Sequence, residues 1–569
     1  MLKKKNIILS FIILCSAIVG TILCINNNLK HVNSVSMTDF DDIKDNYASF
    51  ENENGLFSVV APLENTYSDY YTMYCNLLRD NLKIQINKKA LSKKLIDLMS
   101  SDFKDTDKVS NNVFEGIEQP YYLYILNKNL NLNLPLNNMK DIVSHMINES
   151  YREDGYFLPS FYKEDTSIST KLSITLQTLE VAKELQLMDT IDKKAVINWT
   201  QKILESKDLI LADYYYLTQI SNVLEVPLLT DSQIRTLLEQ QQVEKWNADD
   251  LVDVIEMQAY VFLCKQFNLS NEDKINLILS NIKNSLRIDI REPQILSRKV
   301  ELLGEYNVEI DTYFKDKIDF LTKINKYDDE TYPVITSYEE DLKQAFMVKE
   351  IFNNLGERNI AFPNEAISHF ENSIQEQDLY DLYSIIKLKQ EFGTQNDITD
   401  QIVERIKKER IETLNENNIT TWGWQMLILK ECGYKIEPGD LPGNINQIID
   451  SIKNLTKPFN NNLLNLILID TLITIDLNDD KQIYSDFVKQ INVSDASEVL
   501  CYDVYYKNII LHRLGEFDAS DIEHFAKTLR RKGGFSMNKK QVFPDIRSTY
   551  LMMQLLNLKG EGKNYDTKR

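Results

Sequence analysis

Apolar residues recur every three or four positions in segment after segment of this chain, and several of these segments are cut off by a glycine. Leu172, Leu176, Leu179 and Ala182 share one helical face, and Val254, Met257, Val261 and Cys264 share another. Leu355-Gly356, Phe392-Gly393, Cys432-Gly433 and Leu514-Gly515 each put a glycine just past an apolar run, where a helix C-cap needs a left-handed residue. The segments also pair, a more apolar and aromatic helix being followed by a more charged one. The pattern predicts 68–82 with 88–100, 117–129 with 136–149, 167–186 with 190–205, 209–224 with 230–241, 248–267 with 271–285 and 292–305 with 311–325. It continues with 337–355 and 363–375, 378–392 and 396–414, 419–432 and 443–456, 461–475 and 480–491, 499–514 and 519–530, and ends at 545–557. A period of about 40 to 50 residues is the scale of stacked helical hairpins, and about twelve hairpins are expected. A helix of this kind needs a neighbouring hairpin to cover its apolar face. The fold class is therefore all-α, as an open superhelix or as one or two closed α/α rings.

The N-terminus carries the most specific local signal. Lys3, Lys4 and Lys5 precede an uncharged apolar run over 6–25, about one bilayer crossing as a helix. This predicts a cytoplasmic basic tip at 1–5, a single transmembrane anchor at 6–25, and a body outside the cell membrane. A cleaved signal peptide, giving a secreted protein, is the alternative, although no Ala-x-Ala follows the run. Leu14 before Cys15 and Leu23 before Cys24 argue against lipidation. Residues 26–54 are polar and aperiodic and read as a tether. A first hairpin domain is expected over 55–326, an acidic, turn-rich linker over 327–335, and a second hairpin domain over 336–569. Asp plus Glu outnumber Lys plus Arg by 85 to 64, which excludes nucleic acid as the main partner. Cys75, Cys264, Cys432 and Cys501 stand singly in helical patterns, as small buried hydrophobes do.

A second recurrence overlies the first. Gly533-Gly534-Phe535-Ser536 leads through Pro544-Asp545-Ile546-Arg547-Ser548-Thr549-Tyr550 into an apolar helix. Gly155-Tyr156-Phe157 leads into Thr170-Lys171-Leu172, and Gly55-Leu56-Phe57 leads into Asp69-Tyr70-Tyr71. Gly55, Phe57, Gly155, Phe157, Gly534 and Phe535 read as structural, with the glycine turning the chain and the ring plugging the space between hairpins. Copies near both ends of the hairpin array favour closure over an open superhelix.

With the apolar helix that follows, these Gly-Phe segments resemble the repeat of terpenoid cyclases and protein prenyltransferase β-subunits. The resemblance covers 533–556, weakly 55–78 and 155–181, and the all-helical period. It implies α/α toroids with inner helices around an apolar cavity. Class II cyclases carry Asp-x-Asp-Asp-Thr there, with the middle Asp as a general acid. Matched onto 545–549, arginine and serine stand where the two later carboxylates belong, and a cation cannot serve as that acid. The copies matched at 65–69 and 166–170 lack the acid too. Asp39-Phe40-Asp41-Asp42 fits its spacing, but in the expected tether, where no cavity desolvates it. The family's zinc set of Asp, Cys and His is not kept. Cys501 and Asp503 lie about 200° apart on one helix and His512 is about 16 Å further along, so no metal site is expected.

Asp249-Asp250-Leu251-Val252-Asp253 fits the Asp-Asp-x-x-Asp pattern of class I terpene synthases, making Asp249, Asp250 and Asp253 candidates for binding a diphosphate cofactor or substrate through Mg²⁺; an ordinary acidic helix start is the competing reading. In the related motif at 396–404, Asp400 replaces the hydroxyl residue. Asp213, Asp503 and Asp545 are catalytic candidates by position alone, for a glycan-processing (α/α)₆ enzyme that needs two carboxylates about 5 to 9.5 Å apart. The remaining lead is aromatic. Tyrosines bunch at 70, 71 and 74, at 121, 122 and 124, at 214–216, and at 502, 505 and 506, with Trp422 and Trp424. A cavity so lined suits a glycan, a protein segment or an apolar small molecule; a core filled with tyrosine is the plainer alternative. The chain is thus expected to be a membrane-anchored toroid that binds a ligand or partner, and it reveals no reaction and no cofactor.

Overall fold

The computed structural model describes residues 40–48, 60–62, 66–102, 116–163, 165–206, 209–337, 342–356, 374, 377–392, 398–477, 481–518 and 520–564. About two-thirds of these residues are helical, strands are few and short, and the chain falls into two compact units, Ser58–Glu339 and a split unit made of Met1–Phe57 with Glu340–Arg569. Among the described residues no helix is long and apolar enough to cross a membrane, and the apolar run 6–25 lies outside them. Gly55 and Phe57 also lie outside them.

Helix α1 (Asp41–Ala48) belongs to the split unit. The unit Ser58–Glu339 begins with a short strand β1 (Val60–Pro62), then alternates two kinds of helix. One set comprises α2 (Asp69–Asn81), α4 (Glu118–Leu130), α6 (Ile168–Glu184), α8 (Leu211–Leu224), α10 (Leu251–Gln266) and α12 (Pro293–Glu305). The other comprises α3 (Lys88–Asp102), α5 (Lys140–Ser150), α7 (Lys193–Leu204), α9 (Asp231–Gln240), α11 (Glu272–Asn284) and α13 (Thr312–Ile324). Strands β2 (Tyr151–Arg152) and β3 (Tyr156–Phe157) make a hairpin between α5 and α6, and β4 (Ile335–Ser337) pairs antiparallel with β1. In the first set each helix packs on the next, from α2 through α4, α6, α8 and α10 to α12, and α12 packs on α2, so the contacts run in a cycle. Helices of the second set bury one stripe, such as Ile275, Ile278, Leu279 and Ile282 of α11.

The split unit repeats the scheme. Its first set is α14 (Leu342–Asn354), α15 (Leu379–Phe392), α17 (Ile419–Glu431), α19 (Asn462–Thr474), α21 (Leu500–Arg513) and α23 (Ile546–Asn564), again in a cycle closed by α23 on α14. Between them lie α16 (Thr399–Lys408), α18 (Ile445–Lys453), α20 (Lys481–Gln490) and α22 (Ser520–Leu529), and β5 (Arg530–Arg531) pairs with β6 (Gly534–Phe535) before α23. Helix α19 is apolar nearly all round because both neighbours of the cycle cover it. In α18, Ile445, Ile448 and Ile452 make a single buried stripe. Gly356, Gly433 and Gly515 take positive φ as helix stops, while Gly393 lies outside the described residues.

Three junctions share one geometry, which corrects two expectations. At the first, Phe157 is fully buried and its N–H donates to Thr175 Oγ1 at 3.2 Å. At the second, fully buried Phe535 donates to Thr549 Oγ1 at 2.9 Å. At the third, Tyr332 N–H donates to Thr72 Oγ1 at 3.0 Å, and the tyrosine is again fully buried. The turn before each ring has a residue at positive φ: Gly155, Gly533 and, at the third, Glu330. The stretch 327–335 is therefore no exposed linker. It is the plug in front of α2, held by an Arg79–Glu330 ion pair and by Asn76 Nδ2 donating to Glu330 O at 3.0 Å. The inner-helix residues that correspond to 545–549 are consequently 68–72 and 171–175, each ending in threonine, and not 65–69 and 166–170.

The expected tether also contains structure. Ile43, Asn46 and Tyr47 of α1 are buried. Asp42 pairs with Arg530 and accepts from Gly533 N–H at 2.7 Å; Asn46 Nδ2 donates to Gly533 O at 2.9 Å and Tyr47 Oη to Thr549 Oγ1 at 3.0 Å. Gly155 lies so close to α7 that an added Cβ would stand 2.3 Å from Ala195 O, and one on Gly534 would stand 3.4 Å from Tyr47 Oη. Helix α1 thus packs on β6 as α7 packs on β3.

Candidate functional site

The tyrosines on the cyclic helices of the unit Ser58–Glu339 meet one another. Tyr70 lies edge-on to Tyr71 and Tyr74, with ring centres 5.2 and 5.0 Å apart, and Tyr122 of α4 reaches both Tyr70 and Tyr74 at 6.5 and 6.4 Å. Tyr121 touches Tyr122 and Tyr124, and Tyr215 of α8 touches Tyr216 and, at 4.9 Å, Phe262 of α10. All of these rings are half-buried, neither sealed in a core nor on the open surface. Burial pushes the hydroxyls of Tyr70, Tyr74, Tyr122 and Tyr215 above their ordinary value, so they stay protonated and able to donate.

A polar group runs through this lining. Arg298 of α12 donates to Gln258 of α10 and lies near the Tyr74 hydroxyl, while its Nε has no hydrogen-bond partner among the described residues. Gln258 Nε2 lies 3.4 Å from Glu301 Oε2, one turn past Arg298. Glu180 of α6 lies near the Tyr121 hydroxyl, and one turn earlier the buried Gln177 Oε1 has no partner among the described residues. Lys128 Nζ donates to Tyr124 Oη at 3.1 Å. None of these polar residues stands in a local motif. Arg298 and Lys299, two cations buried or half-buried in one apolar helix, were the available signal: Lys299 pairs with Asp249, leaving Arg298 as the one turned toward tyrosine.

The aromatics of the split unit make closer company. Trp424 lies 4.8 Å from Tyr380 and 5.4 Å from Tyr383, and Phe346 touches Tyr383 and Tyr550. Tyr505 Oη donates to Gln554 Oε1 at 2.9 Å, and Gln554 Nε2 donates to Tyr550 Oη at 2.8 Å. A cavity of about 40 Å³ between α17 and α19, lined in part by Gly423, Trp424, Asp470 and Tyr506, has room for little more than a water.

The carboxylates proposed for chemistry sit in first turns. Asp213, 2% exposed, accepts from Ile210 N at 3.0 Å and from Ser169 Oγ at 2.6 Å. Its neighbour Glu256 accepts from Ala212 N at 3.0 Å, and burial pushes the Glu256 carboxyl up to about 7, with Asp213 adding to the rise. Asp503 accepts from Ser497 Oγ at 2.6 Å, and Asp545 accepts from Ser548 N at 2.9 Å as the cap of α23. Burial raises both carboxyls. In the class I pattern, Asp249 lies between Lys299 Nζ at 3.1 Å and an Arg287 guanidinium nitrogen at 3.2 Å. Asp250 caps α10 by accepting from Val252 and Asp253 N–H, and Asp253 accepts from Asn247 N at 2.7 Å. Cys501 donates to Ser548 O and lies apart from His512, which meets Phe517 edge-on. Among the described residues no group of three His, Cys, Asp or Glu side chains could hold a metal ion.

No family of known proteins, no curated protein and no solved structure matches this chain.

Proposed function

We propose that this protein is a ligand-binding module made of two α/α toroids, related to terpenoid cyclases and prenyltransferase β-subunits but without their chemistry, and anchored to the outer face of a cell membrane by residues 6–25. The observation that carries the binding role is the half-buried inner lining of the unit Ser58–Glu339, where tyrosines of α2, α4 and α8 surround Arg298. The toroid reading is supported by the two six-helix cycles and by the plugged junction repeated in front of α2, α6 and α23. Loss of the family chemistry is supported by the register those junctions set. Arg547, Tyr70 and Ser173 occupy the middle-acid position, and Asp545 serves as a helix cap. The anchor is supported by the lysine-flanked apolar run alone.

Two measurements test this. Ligands from several chemical classes are titrated onto the intact protein, and Tyr70→Ala must weaken whatever binds; binding indifferent to that change removes the site. Intact spheroplasts are treated with protease. Digestion of the body without lysis is expected, and its survival refutes the outside orientation.

A further inference from the structure

Resting on the reading of residues 6–25 as a membrane anchor, we propose that the β5–β6 junction of the split unit is the face that lies against the bilayer, seated on anionic phospholipid headgroups by Lys532, Lys539 and Lys540. The first support is the covalent path. Residues 26–39 separate the anchor from Phe40 and α1. Even fully extended they reach at most about 50 Å, and a compact unit of this size is itself about 50 Å across. The surface where α1 begins is therefore held toward the membrane. That surface is the junction. Arg530 Cζ stands 5.7 Å from the centre of the Phe40 ring, Asp42 pairs with Arg530 and accepts from Gly533 N–H, and Tyr47 donates to Thr549 Oγ1.

The second support is charge. Arg530, Arg531, Lys532, Lys539 and Lys540 fall in a stretch, 530–540, that holds no carboxylate, in a chain of formal charge −21. Asp42 neutralises the buried Arg530, and Arg531 donates to Gln541 O at 2.6 Å and to Lys539 O at 3.1 Å, bracing the loop that carries the lysines. Lys532, Lys539 and Lys540 are exposed, and Val542 beside them is 51% exposed. The nearby carboxylates do not cancel them. Asp545 is spent capping α23, Asp41 and Asp45 of α1 are offset in part by Lys44, and on α22 Glu523 is offset by Lys527. Glu498 lies 2.6 Å from Lys540, but both ends of that pair are exposed and it is weak. An anionic surface draws such a face in by roughly fivefold per lysine, while the acidic remainder of the chain is repelled. The tether favours the bilayer over a soluble polyanion, because it keeps this face and the headgroups at high effective concentration.

The test reconstitutes the full chain into vesicles of phosphatidylcholine, or of an equal mixture with phosphatidylglycerol, and footprints its lysines by acetylation read by mass spectrometry. Carbonate-resistant insertion into both is expected. Lys532, Lys539 and Lys540 should react at least fivefold more slowly on the anionic vesicles, with exposed Lys453 of α18 reacting equally on both. Lys539→Gln with Lys540→Gln should remove most of the protection of Lys532. Protection should also vanish in about 1 M salt, where screening acts within about 3 Å; protection that survives such salt overturns the electrostatic seat. Insertion with equal acetylation of the three lysines on both vesicles overturns the surface and leaves the anchor standing. Extraction by carbonate refutes the anchor, and the footprint then decides the surface alone, protection supporting it and equal reaction overturning it. Heparin protecting the lysines of the detergent-solubilised chain where anionic vesicles do not assigns the face to a soluble polyanion and overturns the bilayer.

Discussion

Replacing Glu330 with alanine separates a plug from a linker. In an exposed acidic linker the change would be silent, within about 0.5 kcal/mol. In this structure Glu330 is 6% exposed and lies against Arg79, which is 1% exposed and 251 residues away in sequence. Arg79 has few other partners; its second guanidinium nitrogen donates to Gln85 O at 2.6 Å and its Nε has none among the described residues. Glu330→Ala therefore strands a buried cation, and breaking such a pair costs about 3–5 kcal/mol. Lys326, 14% exposed and 3.0 Å from the other Glu330 oxygen, loses its partner too, which adds to the cost. The chain's tryptophans make the assay specific. Trp199 and Trp246 report on the unit Ser58–Glu339, and Trp422 and Trp424 on the split unit. Urea unfolding of a variant that keeps only the first pair should show the loss, and the companion variant that keeps only the second should not. Arg79→Met with Glu330→Leu should recover most of the stability, since an apolar pair of similar size avoids the stranded charge. A parent-like unfolding midpoint for Glu330→Ala would refute the plug.

That junction also marks where sequence reasoning stopped. Phe157 and Phe535 were legible because a glycine precedes each ring. Tyr332 was not, because Glu330 holds the positive φ and its acidic neighbours resemble a linker. The register of the inner helices was missed because the loop after the ring varies. Phe535 reaches a threonine fourteen residues on, Phe157 one eighteen residues on, and Tyr332 one near the other end of its unit. Helix stops at Gly356, Gly433 and Gly515 were readable, whereas Asn131, Gln186, Glu225, Asn268 and Asn307 do the same work with a side chain. Helix α1 escaped because eight mostly polar residues with three buried side chains carry no periodic signal; only its partners at 530–549 reveal it. The tyrosines of the lining were visible in sequence, but Arg298, Gln258, Glu180 and Gln177 come from three helices and form no motif.

Three further outcomes are expected. The folded-state pKa of Glu256 is raised from 4.5 to about 7, so its contribution is complete below pH 4.5 and is lost as pH rises toward 7; Glu256→Gln should flatten that dependence and add up to about 3 kcal/mol above pH 7 by urea unfolding, with Gln still able to accept from Ala212. Gly155→Ala, with its Cβ 2.3 Å from Ala195 O and a φ of +95°, should cost about 1–3 kcal/mol, while Gly439→Ala, with nothing within 4 Å, should unfold like the parent. Asp42→Ala should destabilise only the split unit, by about 2–3 kcal/mol because Asp42 is 17% exposed, read from Trp422 and Trp424; an unchanged midpoint would mean α1 contributes nothing to that unit.

The central claim is that the half-buried tyrosines around Arg298 form the binding surface. Tyrosine nitration of the intact protein, mapped by mass spectrometry with and without a saturating amount of the ligand found by titration, tests it most directly. Protection should fall on Tyr70, Tyr74, Tyr122 and Tyr215, while exposed Tyr313 reacts equally in both samples. Protection confined to Tyr306 and Tyr313, or none among the lining tyrosines, would contradict the account.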